Sequence, residues 1–170
     1  MTGRERWWSR GLVWIVALMA TAFTVTLALP PLLADGPAAV IRLLASPSCH
    51  QMPWRSLMID GEPLAVCARC FGLYVGGSLG LWIYGFFASP GYRPPTSWFL
   101  AALGLNVLDV GLGLLGLPNL PNLPRALLGV GSGAVIGLFL GTGVAGIALH
   151  LAQGRGGTAP APSADSESVV

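Results

Sequence analysis

The chain has 170 residues, of which 54% are hydrophobic and 9% charged, and its mean hydropathy is +0.69. Soluble domains carry about a quarter charged residues, so this composition excludes an ordinary soluble domain and indicates an integral membrane protein. The net charge of +2, with scattered arginines, argues against a nucleic-acid partner. Three cysteines cannot all pair within one chain, so a disulfide framework is not expected.

Four apolar stretches are long enough to cross a bilayer, which takes about 20 helical residues. We therefore expect an all-α integral membrane protein with spans at residues 11–33, 71–88, 98–117 and 126–151. These spans form a single membrane domain, residues 1–153, whose implied partners are membrane lipids. Residues 154–170 are rich in Gly, Pro, Ser and Ala and predict a disordered tail.

The distribution of arginines along the chain slightly favours one orientation in the membrane. Five of the nine lie on the cytoplasmic side if the N-terminus is cytoplasmic, and the N-terminal cluster usually dominates. Both termini are therefore predicted to be cytoplasmic, and the loop after the first span is predicted to be extracytoplasmic.

That loop and the start of the second span contain all three cysteines and one of the two histidines. In chain order they are Cys49, His50, Cys67 and Cys70. Between them, the pattern around Asp60-Gly61 predicts a two-residue β-hairpin. Such a hairpin folds the chain back and brings the Cys-x-x-Cys pair towards the first cysteine.

A metal site is the first hypothesis for this stretch. Cys67 and Cys70 have the spacing of a zinc half-site, and the hairpin could add Cys49 and His50 to give a Cys₃His set. Thiolates and imidazole suit zinc, more than copper or iron. However, two adjacent residues rarely reach one tetrahedral ion without strain. In the alternative arrangement His50 does not bind the ion, and the fourth position is open to water or a substrate.

Thiol–disulfide exchange coupled to a quinone is the second hypothesis. Four spans and a Cys-x-x-Cys pair at the start of a span are similar, in architecture only, to membrane thiol oxidases that pass electrons to quinone. Cys67 or Cys70 would be the nucleophile, Cys49 its exchange partner, and Tyr74 with Arg69 would line a quinone pocket. Those enzymes generally use two cysteine pairs, so the missing fourth cysteine counts against this hypothesis.

The third hypothesis is non-enzymatic binding or transport of an anionic small molecule or lipid head group. Arg55, Arg69 and Arg125 would hold it, because the planar guanidinium suits such ligands. Asp109 in the third span, beside Asn106 on a stripe of polar and small residues, would pair with them or gate the site. For each arginine alone, a position at the lipid–water boundary is the simpler interpretation.

Two rows of glycines predict close helix packing. The second span has Gly72, Gly76 and Gly80, and the fourth span has Gly129, Gly133, Gly137 and Gly141. Small residues at this spacing let helix backbones approach each other, so we expect these two spans to pack through their glycine rows.

Two motifs carry a family resemblance. They are Cys49-His50-Gln51-x-Pro53-x-Arg55-Ser56 and Cys67-x-Arg69-Cys70-x-Gly72-x-Tyr74-x-Gly76. On these residues the chain resembles an uncharacterised prokaryotic membrane-protein family, the domain of unknown function 2085 family, over most of residues 45–135. Family members often have Asp-Gly where this chain has Asp109-Val110. The resemblance implies a multi-pass protein of the prokaryotic inner membrane and groups these residues together, but it implies no reaction.

Overall fold

A computed structural model describes residues 3–88, 92–115 and 120–154. This part of the chain contains the helices α1 (Gly3–Ala28), α2 (Asp35–Ala45), α3 (Ala68–Phe87), α4 (Thr96–Leu114) and α5 (Asn122–Gly154), and the strands β1 (Ser56–Ile59) and β2 (Glu62–Cys67). Four of these helices, α1, α3, α4 and α5, are long and apolar enough to cross a membrane. The expected all-α membrane fold, with four candidate spans and a hairpin between the first two, is confirmed.

The helix ends differ from the expected spans by a few residues. α1 ends at Ala28 rather than near residue 33, because the two prolines that follow cannot continue its hydrogen bonds. The chain instead forms a short 3-10 turn, Pro30–Leu32. The predicted tail beyond Gly154 lies outside the described residues, as does the end of the expected third span at residues 116–117.

The hairpin has the predicted two-residue turn. Ile59 pairs with Glu62 across the two antiparallel strands, which leaves Asp60 and Gly61 between them. Both turn residues have positive φ, +51° and +85°, as a type I′ turn requires. β2 then leads without a break into α3, and its last residue, Cys67, is the N-cap of that helix. The hairpin thus delivers the chain directly to the start of the second candidate span.

α3 and α5 are in backbone contact through their glycines. A β-carbon on Gly76 would overlap the carbonyl oxygen of Val130 and lie 2.8 Å from the backbone nitrogen of Ala134. Gly72 and Gly80 meet α5 in the same way, one turn before and one turn after. Because the contacts advance in the same direction along both helices, α3 and α5 are parallel and begin at the same end of the bundle.

The other two long helices are attached by polar and aromatic contacts. The indole nitrogen of Trp82 on α3 donates to Thr21 on α1 at 2.9 Å, and the hydroxyls of Thr24 and Ser78 lie 3.1 Å apart. α4 packs mainly on α5, where the Asn106 amide donates to the Ser132 hydroxyl. The tightly packed part of the bundle is therefore the α1–α3–α5 group, with α4 at its side.

Candidate metal centre

The three cysteines of the chain meet at one place. Cys49 lies in the loop after α2, Cys67 ends β2, and Cys70 lies in the first turn of α3, yet their sulfur atoms all lie within 4.8 Å of one another. A tetrahedral ion with sulfur ligands at about 2.3 Å would place those sulfurs about 3.8 Å apart. The separation of the three thiols is therefore compatible with that of a bound ion's ligands, and all three thiols are free.

An apolar core surrounds this cluster. Cys49 is 7% exposed and packs with fully buried residues of β2, Ala65 and Val66, and with Leu27 at the end of α1. The half-buried Cys67 and Cys70 pack against the same core. Burial of this kind limits the access of water to the cluster.

Backbone N–H groups hold the Cys49 sulfur in place. It accepts a hydrogen bond from the N–H of Cys67 at 3.2 Å and another from the N–H of Gln51 at 3.5 Å. Gln51 has a φ of +50°, a conformation that costs a non-glycine residue roughly 1–2 kcal/mol. Its side chain donates to the carbonyl oxygen of Arg42, which fixes the turn. The strained backbone at Gln51 therefore directs an N–H group at the sulfur.

The pKa of the Cys67 thiol is lowered to about 5. The largest cause is a hydrogen bond from the Cys70 thiol to the Cys67 sulfur, and a contact with Cys49 and the positive charge of Arg69 act in the same direction. Burial acts in the opposite direction and is outweighed. The hydrogen bond from Cys70 thus favours the thiolate form of Cys67, the form in which cysteine binds metals.

His50 stands apart from the three cysteines. Its side chain is exposed, and it does not belong to the group whose ligand atoms lie within 4.8 Å of one another. Its role as a fourth ligand stays a prediction. In the described part of the chain, the three cysteines are the one group of three or more potential metal ligands at such distances.

A buried cluster of charges joins α3, α4 and α5. Arg69 of α3 donates a hydrogen bond to a carboxylate oxygen of Asp109 on α4, and the Nε of Arg125 on α5 lies 3.8 Å from the same oxygen. Asp109 is 7% exposed and Arg125 is 4% exposed. The Nε atoms of both arginines are buried without a hydrogen-bond partner. Arg69 lies between Cys67 and Cys70 in the sequence, so this charge cluster adjoins the cysteine cluster along the chain.

The remaining residues singled out in the sequence have other surroundings. Tyr74 packs against the cysteine core, and its ring lies 5.2 Å from that of Phe23 in an edge-to-face arrangement. Asn106 bonds to the Ala102 carbonyl and to α5. Arg55, in the turn before β1, forms none of the three salt bridges found in the described residues.

Sequence reasoning named Gln51 only as part of a motif and assigned no role to Gln51 or Asn122. The Asn122 amide donates to the carbonyl oxygens of Trp54 and Ser56, at 3.2 and 3.0 Å, and ties the hairpin to the start of α5. The signal for Gln51 was its place two residues after Cys49, where a backbone N–H can return to the sulfur. An asparagine at the start of a helix carries no comparable signal, because it usually caps its own helix.

Comparisons with known proteins identify a family. The family model described as "Predicted membrane protein (DUF2085)" matches residues 49–139, more than half of the chain and all three cysteines. The chain is also 49% identical over 53 residues to the uncharacterized protein MJ1492 of Methanocaldococcus jannaschii. That match covers 31% of this chain and 34% of the relative, so the chain aligns with about a third of that protein. No solved structure matches the chain. The chain belongs to the domain of unknown function 2085 family of predicted membrane proteins.

Proposed function

We propose that this membrane protein holds a metal ion, zinc, between the sulfurs of Cys49, Cys67 and Cys70. The observation that carries the proposal is the convergence of three thiols from three separate elements to within 4.8 Å. Two backbone N–H groups already donate to the Cys49 sulfur, so one ligand is positioned without the ion. N–H donors of this kind orient metal ligands and tune the site.

Zinc is the ion that this ligand set favours. Thiolates select zinc over hard cations such as magnesium and calcium, and zinc accepts tetrahedral sites. Three protein ligands leave a fourth position for water or a substrate, the arrangement typical of catalytic zinc sites. His50, next to Cys49 and exposed, would either complete the set or contact a ligand in the fourth position.

We place the centre on the extracytoplasmic side of the prokaryotic inner membrane. Four candidate spans support termini on the same side, and the arginines that precede the first apolar stretch favour the cytoplasm. The loop with Cys49 and the start of α3 would then face outward. A reporter fused to the C-terminus tests the assignment, because a reporter active in the periplasm would contradict it.

The metal proposal is tested by elemental analysis of protein purified without chelator or metal-affinity resin. We expect about one zinc per chain, and loss of that zinc in Cys67→Ser and in Cys70→Ser, because two thiolates cannot replace three. His150→Gln, a substitution near the far end of α5, is the matched control for His50→Gln. Zinc lost in His50→Gln but retained in His150→Gln would identify His50 as the fourth ligand. Zinc retained in both cysteine variants would overturn the proposal.

A count of free thiols in the same samples tests the redox alternative. This alternative is favoured by the thiolate character of Cys67, since thiolates are the nucleophiles of disulfide exchange. Metal-free protein with one free thiol, rising to three on reduction, would indicate a disulfide within the cluster. Quinone reduction would then be the activity to assay. Bound zinc in the native protein, with three thiols counted after denaturation without reductant, would exclude the alternative for the purified protein.

A further inference from the structure

We propose that Arg69 and Arg125 form a binding site for a phosphate group at the paired N-termini of α3 and α5. The site adjoins the metal centre, but phosphate binding at the two arginines does not require a metal ion. It takes either the head group of an anionic lipid or a free phosphate, since the same chemistry recognises both.

The position of the two arginines is the first observation. Because α3 and α5 are parallel and in contact, their N-termini lie side by side, and each such terminus has a partial charge of about +0.5. Arg69 is the second residue of α3 and Arg125 the fourth residue of α5. Neither first turn contains an acidic residue. Cations at helix N-termini are unfavourable, so this arrangement requires a compensating negative charge.

The charges within the chain compensate only in part. Asp109 is the acidic side chain that pairs with both guanidinium groups in the described residues. Two guanidinium groups and two helix termini together carry about three positive charges, and Asp109 offsets one of them, so about two remain without a counter-charge.

The unpartnered donors are the second observation. Arg125 is 4% exposed, yet its Nε has no hydrogen-bond partner. The Nε atom of Arg69 is also buried without a hydrogen-bond partner. A buried guanidinium with free N–H groups is costly, whereas the planar arrangement of those groups matches phosphate oxygens. Both helices are candidate membrane spans that begin at this end, which is where lipid head groups lie.

The experiment measures phosphate binding with two probes on the full chain. Inorganic phosphate is titrated into protein in phosphatidylcholine nanodiscs, and lipid retention is measured in nanodiscs that contain phosphatidic acid. We expect at least one of the two probes to bind the unsubstituted chain. Arg125→Gln should weaken that binding about tenfold or more, because a charge-assisted, bidentate contact is lost. Arg42→Gln is the control, since it removes the same charge from an arginine that pairs with Glu62 instead.

A variant with the opposite effect separates binding from folding. Asp109→Asn removes the carboxylate that competes for the two arginines, so we expect it to bind the same probe more tightly, which a misfolded protein would not do. Binding of inorganic phosphate supports a free ligand, and retention of phosphatidic acid alone supports a lipid head group. The proposal is overturned if neither probe binds, or if Arg125→Gln and Arg42→Gln behave alike. Neither probe reports on zinc, so this proposal and the metal proposal fail separately.

Discussion

The contact between α3 and α5 predicts a large difference between two neighbouring glycines. In Gly76→Ala the new β-carbon overlaps the Val130 carbonyl oxygen and lies 2.8 Å from the backbone nitrogen of Ala134, where ordinary contacts begin at 3.4 Å. The helices must therefore move apart by at least about 0.6 Å, because backbone atoms cannot turn away as a side chain can. Overpacking of this kind costs about 1–3 kcal/mol, and the better helix propensity of alanine returns about 1 kcal/mol at most.

Gly77→Ala is the matched control, because its β-carbon would meet only the Gly133 carbonyl oxygen at 3.9 Å, an ordinary contact. The assay is reversible unfolding in mixed micelles, followed by circular dichroism. We expect Gly76→Ala to lower the free energy of unfolding and Gly77→Ala to leave it equal or raise it slightly. Equal stability of the two variants would refute the close approach of α3 and α5.

Substitutions at three further positions test the loop, the hairpin and the attachment of α4. Gln51→Pro should abolish zinc binding, because proline lacks the N–H that bonds to the Cys49 sulfur and cannot adopt a positive φ. Gln51→Gly should retain zinc, because glycine keeps both. Equal zinc content in the two variants would show that the Gln51 backbone does not position the Cys49 sulfur. Gly61→Ala should destabilise the hairpin by about 1–2 kcal/mol in the same unfolding assay, since its φ is +85°, and an unchanged free energy would argue against the type I′ turn. Asn106→Leu should lower the free energy of unfolding by about 1 kcal/mol, because the hydrogen bond to Ser132 is lost. Asn106→Gln keeps an amide donor and should recover part of that loss; equal loss in the two variants would show that this bond does not attach α4 to α5.

The parts of the fold that local chemistry determines could be predicted from the sequence. Hydropathy identified the four spans, and Asp60-Gly61 identified the turn because few other residue pairs accept positive φ at both positions. The return of Cys67 and Cys70 towards Cys49 followed from that turn, as the structure shows.

The parts that depend on packing could not be predicted in the same way. Arg55, Arg69 and Arg125 were equivalent candidates in the sequence, and only the register of α3, α4 and α5 brings two of them to Asp109. The positive φ of Gln51 could not be predicted either, because its side chain is held by the Arg42 carbonyl at the end of α2 as well as its N–H by the nearby Cys49 sulfur.

X-ray absorption at the zinc edge of the purified protein tests the central claim most directly. The three converging thiols predict three sulfur neighbours at about 2.3 Å and one lighter atom, nitrogen or oxygen, at about 2.0–2.1 Å. The same spectrum of His50→Gln would show whether that lighter atom is the histidine. A zinc shell made only of nitrogen and oxygen, or protein without zinc, would contradict the claim.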